Sequence, residues 1–315
     1  MERATLRESL KTNLKDYSLE EFAREFITPT KAIEEFYKLC HGIKAGKTIS
    51  LLFNPHRLST GTKKDDISVY ESLQFDDRID GLARLYLYNL EHGVNDAFYS
   101  TIQRGYQNIQ YVNEFPPFVA RSIYISYCNK EQRKILDPCA GWGGRMIGAA
   151  SIPNSVYVAC EPCTETYNGL VKLGEWLKSL QPNFNYTIYN VPYEDFKCNE
   201  KFDIALTSPP YFDTEHYSTE PTNSLNRYAD FDNWVNGFYY PLIEKTVSYL
   251  TDDGRFVLNV GDRLYPLSDT AKSICDKLGL SCVRIKDYLS GNGVGKEKFY
   301  CISHSNNTIV NNKLF

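Results

Sequence analysis

Lys134-Ile135-Leu136-Asp137-Pro138-Cys139-Ala140-Gly141-Trp142-Gly143-Gly144-Arg145 is the stretch whose reading decides the fold. Its first four residues make a short strand that runs directly into a glycine-rich turn. Glycines at such a turn let the backbone approach a ligand closely, and the helix that follows offers free N–H groups there. The spacing Gly141-x-Gly143-Gly144 differs from the dinucleotide fingerprint G-x-G-x-x-G. On its own, the turn is consistent with any tight strand-to-helix connection.

Working outward from it, apolar stretches at 155–160, 187–191, 202–207, 255–260, 281–285 and 299–303 read as further strands, with a helix at about 270–278. Strands alternating with helices of ten or more residues imply a mostly parallel sheet covered on both faces. Ligands of such sheets sit at the carboxyl ends of the strands. Upstream the texture is helical. Ser18-Leu19-Glu20-Glu21 is a capping box opening a helix over 19–26, a second helix spans about 31–41, and apolar spacing from Ile79 to Leu90 gives a third that ends near Gly93. Phe115-Pro116-Pro117 closes this region. The expected division is therefore a helical N-terminal region over 1–112 and an α/β domain over 113–315.

Two more signals fall at the predicted strand ends. Glu161 lies about twenty residues beyond the glycines, where an acidic side chain accepts hydrogen bonds from ribose hydroxyls, each worth about 1.5–3 kcal/mol. A surface glutamate is the plainer reading of Glu161 alone; the glycine turn in the right place favours the ribose. Thr207-Ser208-Pro209-Pro210-Tyr211 directly follows an apolar strand. Two consecutive prolines remove two backbone donors and leave carbonyl acceptors beside an aromatic ring. This suits a planar ring bearing an amine: Tyr211 stacks on its face while the Ser208 hydroxyl and the Pro209 carbonyl accept from its NH₂. The alternative is a proline-stiffened loop with a packed tyrosine.

These motifs resemble those of the S-adenosylmethionine-dependent DNA amino-methyltransferases, which modify the exocyclic nitrogen of cytosine or adenine. The segment Asp137 to Gly144 is similar to the family's cofactor motif D-P-F-x-G-x-G, and Ser208-Pro209-Pro210-Tyr211 to its catalytic motif, Asp/Asn/Ser-Pro-Pro-aromatic. Phe115-Pro116-Pro117 is similar to its other cofactor-side element. The resemblance covers about 115 to the C-terminus. It implies a class I Rossmann-like three-layer sandwich with a seven-stranded mixed sheet and a reversed last strand. It also implies S-adenosyl-L-methionine as cofactor, held by Asp137, Pro138, Gly141, Gly143, Gly144, Glu161, Phe115 and, at the adenine end, Glu194 or Asp195. Catalysis falls to Ser208, Pro209, Pro210 and Tyr211. Serine before the prolines favours cytosine N4 as the target. DNA adenine N6, RNA, and a binding module without turnover are the alternatives.

Phe212, just before a polar loop over 213–230 read as a lid, Tyr217 on that loop, and Lys296 and Lys298, on a glycine-rich loop at 290–298, are the candidate substrate contacts. Asn259 and Asp262 are candidate pocket residues or helix caps. No long target-recognition insert separates the two motifs. Sequence readout is thus expected from the N-terminal region or the lid, or from a partner subunit; a cognate restriction nuclease is a further candidate partner.

Composition narrows the classes. With 315 residues, 42% hydrophobic and 23% charged, bulk disorder is excluded, and the net charge of −4 argues against indiscriminate polyanion binding. Residues 36–64 nonetheless carry Lys38, Lys44, Lys47, Arg57, Lys63 and Lys64 with no acidic residue, either as a solvated face or as a phosphate-contacting segment. Nine scattered cysteines suggest reduced thiols in a cytoplasm, and the pair Cys160 and Cys163 lacks the second pair a zinc site wants. No metal is expected. No apolar run reaches membrane-spanning length, so a soluble cytoplasmic protein with no membrane partner is the expectation.

Overall fold

The computed structural model describes residues 2–62, 67–94, 97, 100–101, 112–262, 264–285 and 297–304. Four helices open the chain: α1 (Glu2–Asp16), α2 (Leu19–Arg24), α3 (Pro29–Cys40) and α4 (Asp76–Glu91). The capping box at Ser18 is present, with the Glu21 N–H donating to Ser18 Oγ and the Ser18 N–H to the Glu21 carboxylate. Pro29 at the first position of α3 costs no hydrogen bond, because that N–H has no helical acceptor.

After α5 (Pro117–Tyr127) come β1 (Arg133–Asp137), α6 (Gly144–Ala150), β2 (Ser155–Cys160), α7 (Thr164–Leu180), β3 (Asn185–Tyr189) and β4 (Phe202–Thr207). Short helices α8 (Ser224–Arg227) and α9 (Phe231–Trp234) then pass through a π turn at Val235–Tyr239 into α10 (Tyr240–Ser248). The chain continues with β5 (Leu250–Gly261), α11 (Leu267–Leu278), β6 (Leu280–Ile285) and β7 (Glu297–His304).

The seven strands form one sheet in the order β3-β2-β1-β4-β5-β7-β6. β3 to β5 run parallel, and β7 is antiparallel to both of its neighbours. This is the expected architecture, including the reversed last strand. Alternation along each strand serves two cores. Ile135, Ile204, Leu206, Val257, Phe299 and Cys301 face one apolar cluster, whereas Leu136, Ala205, Phe256, Leu258, Tyr300 and Ile302 face the other.

The first of these clusters also contains Leu14, Phe22, Phe36, Leu39, Leu51, Leu58, Ile79 and Leu82. The N-terminal helices thus share a continuous apolar core with one face of the sheet. Edge-to-face or tilted contacts of Phe36 and Phe53 with Trp176 on α7 join the two regions directly. No helix among the described residues is long and apolar enough to cross a membrane.

Candidate functional site

The register fixes where chemistry can gather. Asp137 at the end of β1 pairs with Ala159, and Leu136 pairs with Ala205, so Pro138, Glu161 and Ser208 all emerge at one edge of the sheet. Because β7 runs backwards, its first residue, Glu297, lies opposite Gly261 at that same edge. A cavity of about 440 Å³ opens there. That volume lies within the usual range for small-molecule sites.

Of the residues named from sequence, Phe115, Pro138, Gly141, Glu161, Glu194, Ser208, Pro209, Pro210, Tyr211 and Tyr217 line the cavity. Glu161 is 7% exposed; its Oε2 accepts from the Gly141 N–H at 3.0 Å and its Oε1 from the Cys163 N–H at 2.9 Å. Burial raises its pKa to about 7, against the opposing pull of those two N–H groups. Glu194 is also pushed upward by burial, while accepting from the Tyr228 hydroxyl at 2.9 Å and pairing with Arg227 at 3.1 Å. Opposite, the Tyr211 hydroxyl donates to Glu297 Oε2 at 2.6 Å and lies 3.1 Å from Ser208 Oγ.

Other expected residues sit elsewhere. Asp137 is fully buried and does not line the cavity. Its carboxylate takes the Tyr157 hydroxyl at 2.6 Å, Arg145 Nε at 2.7 Å, the Thr207 hydroxyl at 3.0 Å and the Cys139 N–H at 3.3 Å. It ties β1, β2 and β4 together and shapes the turn from below. Burial works against the Arg145 guanidinium, but Asp137 and Tyr157 outweigh it and raise its pKa.

Gly143 and Gly144 are close-packing positions rather than part of the lining. Gly143 has φ +102° and would place a β-carbon 2.5 Å from Leu173 Cδ2; at Gly144 a β-carbon would overlap the Phe115 carbonyl oxygen. Phe212, expected to touch substrate, instead turns away into an aromatic cluster with Phe231, Trp234 and Tyr265, its φ of +55° reversing the chain there. Lys298 pairs with Asp262 at 2.6 Å and does not line the cavity. Asp262 also accepts from the Ser268 N–H at 2.8 Å, in the first turn of α11. Asn259 lines the cavity, with its amide donating to the Lys298 carbonyl at 3.3 Å. Lys296 lies outside the described residues.

The loop over 213–230 is anchored. Thr62 and Gly61 pair with Glu215 and His216. Glu220 accepts from the Thr164 N–H and hydroxyl, both at 2.9 Å, at the start of α7. Tyr217 stands 5.9 Å from the Trp142 ring, both on the cavity wall, and the Tyr228 hydroxyl that meets Glu194 also lies 2.8 Å from the Gly237 carbonyl in the π turn, its one proton shared between the two acceptors. Phe238, within that turn, reaches the cavity.

Sequence reading did not place Lys47 of the N-terminal region, or Glu114 just beyond it, at this cavity. Lys47 and Glu114 both line the cavity. Glu114 is 5% exposed and accepts from Ser50 Oγ at 2.6 Å, Arg57 Nη1 at 2.9 Å and the Gly144 N–H at 3.1 Å. Arg57 is therefore a buried ion-pair partner, correcting its place in a solvated or phosphate-contacting face. Burial, and then the like charge of Arg57, lower the Lys47 pKa. The Asn54 amide donates to the Trp142 carbonyl at 3.1 Å, fastening the glycine turn to the same segment. The absence of acids over residues 36–64 was the only available signal, and it did not reveal a partner fifty residues on.

All nine cysteines are free thiols, and among the described residues no cluster of His, Cys, Asp and Glu is arranged to hold a metal ion. Burial pushes the Cys139 thiol well up, which leaves it poorly suited as a nucleophile.

No family model matches this chain. Over 124 residues, 39% of its length, the chain is 27% identical to the tRNA1(Val) (adenine(37)-N6)-methyltransferase of Flavobacteriaceae bacterium (strain 3519-10). It spans about half the length of that curated relative. Among solved structures it is similar to a methyltransferase from Pyrococcus furiosus, with 20% identity and a TM-score of 0.42 over 60% of this chain and 82% of that one. It is also similar to the glycopeptide N-methyltransferase MtfA complexed with S-adenosyl-L-methionine, with 11% identity and a TM-score of 0.44 over 59% of this chain and 92% of that one. The strand order, the reversed last strand and the glycine turn after β1 make this chain a class I methyltransferase fold.

Proposed function

We propose that this chain transfers a methyl group from S-adenosylmethionine to the exocyclic amine of a base in RNA, with adenine N6 the favoured acceptor. One observation carries the reading: a single cavity has the buried Glu161 and the Gly141 turn on one wall and Ser208-Pro209-Pro210-Tyr211 on another. Each Glu161 oxygen accepts one backbone N–H, and a carboxylate has about four acceptor sites. Capacity thus remains for the two hydroxyls of a ribose. Glu194 and Phe115 extend that wall, and Lys47 adds a cation from the N-terminal region, 1–112, which we assign to closing the cavity.

The cofactor supplies an electrophilic methyl on a sulfonium. The chain's part is to position the amine. Ser208 Oγ and the Pro209 carbonyl accept its two hydrogens, drawing them out of the ring plane and localising the lone pair, while the Tyr211 ring packs on the base. Positioning and fixed dipoles of this kind account for much of the rate in such reactions.

Support for RNA comes from the tRNA adenine-N6 relative. DNA with cytosine N4 as target, favoured by the serine before the prolines, gains no support from the comparisons. Methyl transfer from labelled cofactor to bulk tRNA, single-stranded RNA and duplex DNA, followed by nucleoside mass spectrometry, tests the reading. N6-methyladenosine in RNA is expected. N4-methylcytosine in DNA would return the target to DNA, and label in no base would overturn methyl transfer to nucleic acid.

A further inference from the structure

Resting on that reading, the geometry points to Glu297 as a specificity-determining residue, one that fixes the Ser208 hydroxyl as a hydrogen-bond acceptor and so selects an amino-bearing over a keto-bearing base. Glu297 is the first residue of β7, 86 residues after Tyr211 in the chain, and it belongs to neither motif. Its carboxylate is an acceptor only, so the 2.6 Å contact with Tyr211 uses the one hydroxyl proton that Tyr211 has. Ser208 Oγ lies 3.1 Å from that same phenolic oxygen. With the tyrosine proton committed to Glu297, the serine must be the donor in this contact. Its own single proton is then spent on Tyr211, and what Ser208 Oγ has left to turn towards the cavity is lone pairs.

The consequence is chemical selectivity. Ser208, Pro209 and Glu297 all line the cavity, and the Ser208 hydroxyl and the Pro209 carbonyl are the acceptors assigned to the base edge. An exocyclic NH₂ satisfies acceptors; a carbonyl oxygen at the same position meets only lone pairs and leaves them desolvated without partners. Leaving a buried acceptor without its partner corresponds to a discrimination of roughly ten- to hundred-fold. Tyr211 thus has two separable duties: its ring packs on the base, and its hydroxyl passes the polarity set by Glu297 to Ser208. The carboxylate acts through Tyr211 and is a positioning residue.

The test compares the full-length wild type with Glu297→Ala, Glu297→Gln and Tyr211→Phe. Methyl transfer to bulk tRNA is measured against two competitors of equal length, oligoadenosine and oligoinosine, which present an amine and a carbonyl at the same ring position. In the wild type, oligoadenosine is expected to compete at least roughly tenfold better. In Tyr211→Phe and Glu297→Ala the serine proton is released to donate, so oligoinosine should compete better than it does against the wild type and the preference should shrink to about threefold or less. Glu297→Gln, whose amide oxygen still accepts from Tyr211, should retain most of the preference. Loss of turnover with the preference intact in all variants would overturn the assignment, because a purely structural role lowers rate without inverting polarity. Wild-type transfer to RNA with no preference between the competitors would overturn it also. A wild type that methylates no nucleic acid would instead overturn the proposed function, and with it this inference.

Discussion

Glu161 shows how much a single residue can reveal about the state of the site. Its carboxyl sits at about 7, well above the ordinary carboxyl value, chiefly because burial penalises the charge. With the folded-state value raised, its contribution to stability is present in acid and lost as pH rises through about 7. The proposed ribose contact runs the opposite way, since hydroxyls donate best to the ionised form. Cofactor affinity measured by calorimetry is therefore expected to rise between about pH 6 and pH 8, and Glu161→Gln should flatten that rise. At the opposite wall, Ser208→Ala removes one acceptor for the amine and is expected to lower kcat by about 10²–10³-fold with little change in KM, as checked by steady-state methyl transfer. Residues such as Ser208 and Glu161 were legible because each stands in a contiguous motif or at a fixed offset from one. Phe212 was misread because an aromatic beside a catalytic motif serves equally as a core anchor, and only its positive φ sends it inward. Glu114 and Glu297 were invisible because their partners are distant in the chain, and Lys47 showed only as part of a basic run.

Among the elements, the turn between β1 and α6 carries the tightest packing. A methyl at Gly143 meets the ends of two leucine side chains on α7, Leu170 and Leu173, and these can shift. A methyl at Gly144 meets the backbone oxygen of Phe115 and the Glu114 carboxylate, which cannot move without dismantling the ion pair with Arg57. Gly144→Ala is thus expected to lose at least about 3 kcal/mol, at or beyond the upper end of ordinary overpacking. Gly143→Ala should lose less despite its left-handed φ, where strain of about 1–2 kcal/mol applies. Urea denaturation of the two variants ranks them. The strands themselves were readable: the segments at 155–160 and 202–207 coincide with β2 and β4, whose side chains are mostly buried on both faces. β3 was placed two residues late because, at the sheet edge, its side chains alternate between exposed and half-buried and give only a weak apolar signal. β5 begins five residues earlier than its apolar run, through Asp252, Asp253 and Gly254, which pattern alone assigns to a turn.

At the scale of the molecule, the N-terminal region and the sheet are bound through a shared apolar cluster, the buried Arg57–Glu114 ion pair and buried hydrogen bonds such as Asn54 to the Trp142 carbonyl. Arg57→Ala leaves the Glu114 carboxylate buried without its counter-charge, and a loss of about 3–5 kcal/mol is expected. Because the apolar core is shared, the transition should remain a single one by circular dichroism and by tryptophan fluorescence alike; two separated transitions would show that the regions unfold independently. Composition could not reveal this arrangement, since a change from helical to α/β texture near residue 113 looks the same whether the regions are tethered or fused.

The reversal of β7 has a consequence for the order in which this protein comes into being. A ribosome releases the cofactor wall, then the tandem prolines, and only after β6 the carboxylate that meets Tyr211. A chain halted before β7 would hold every residue of both recognisable motifs and yet lack the strand between β5 and β6, leaving a gap in the sheet beside the half-built crevice. Such a chain would also lack Glu297, and with it the contact that holds the Tyr211 hydroxyl.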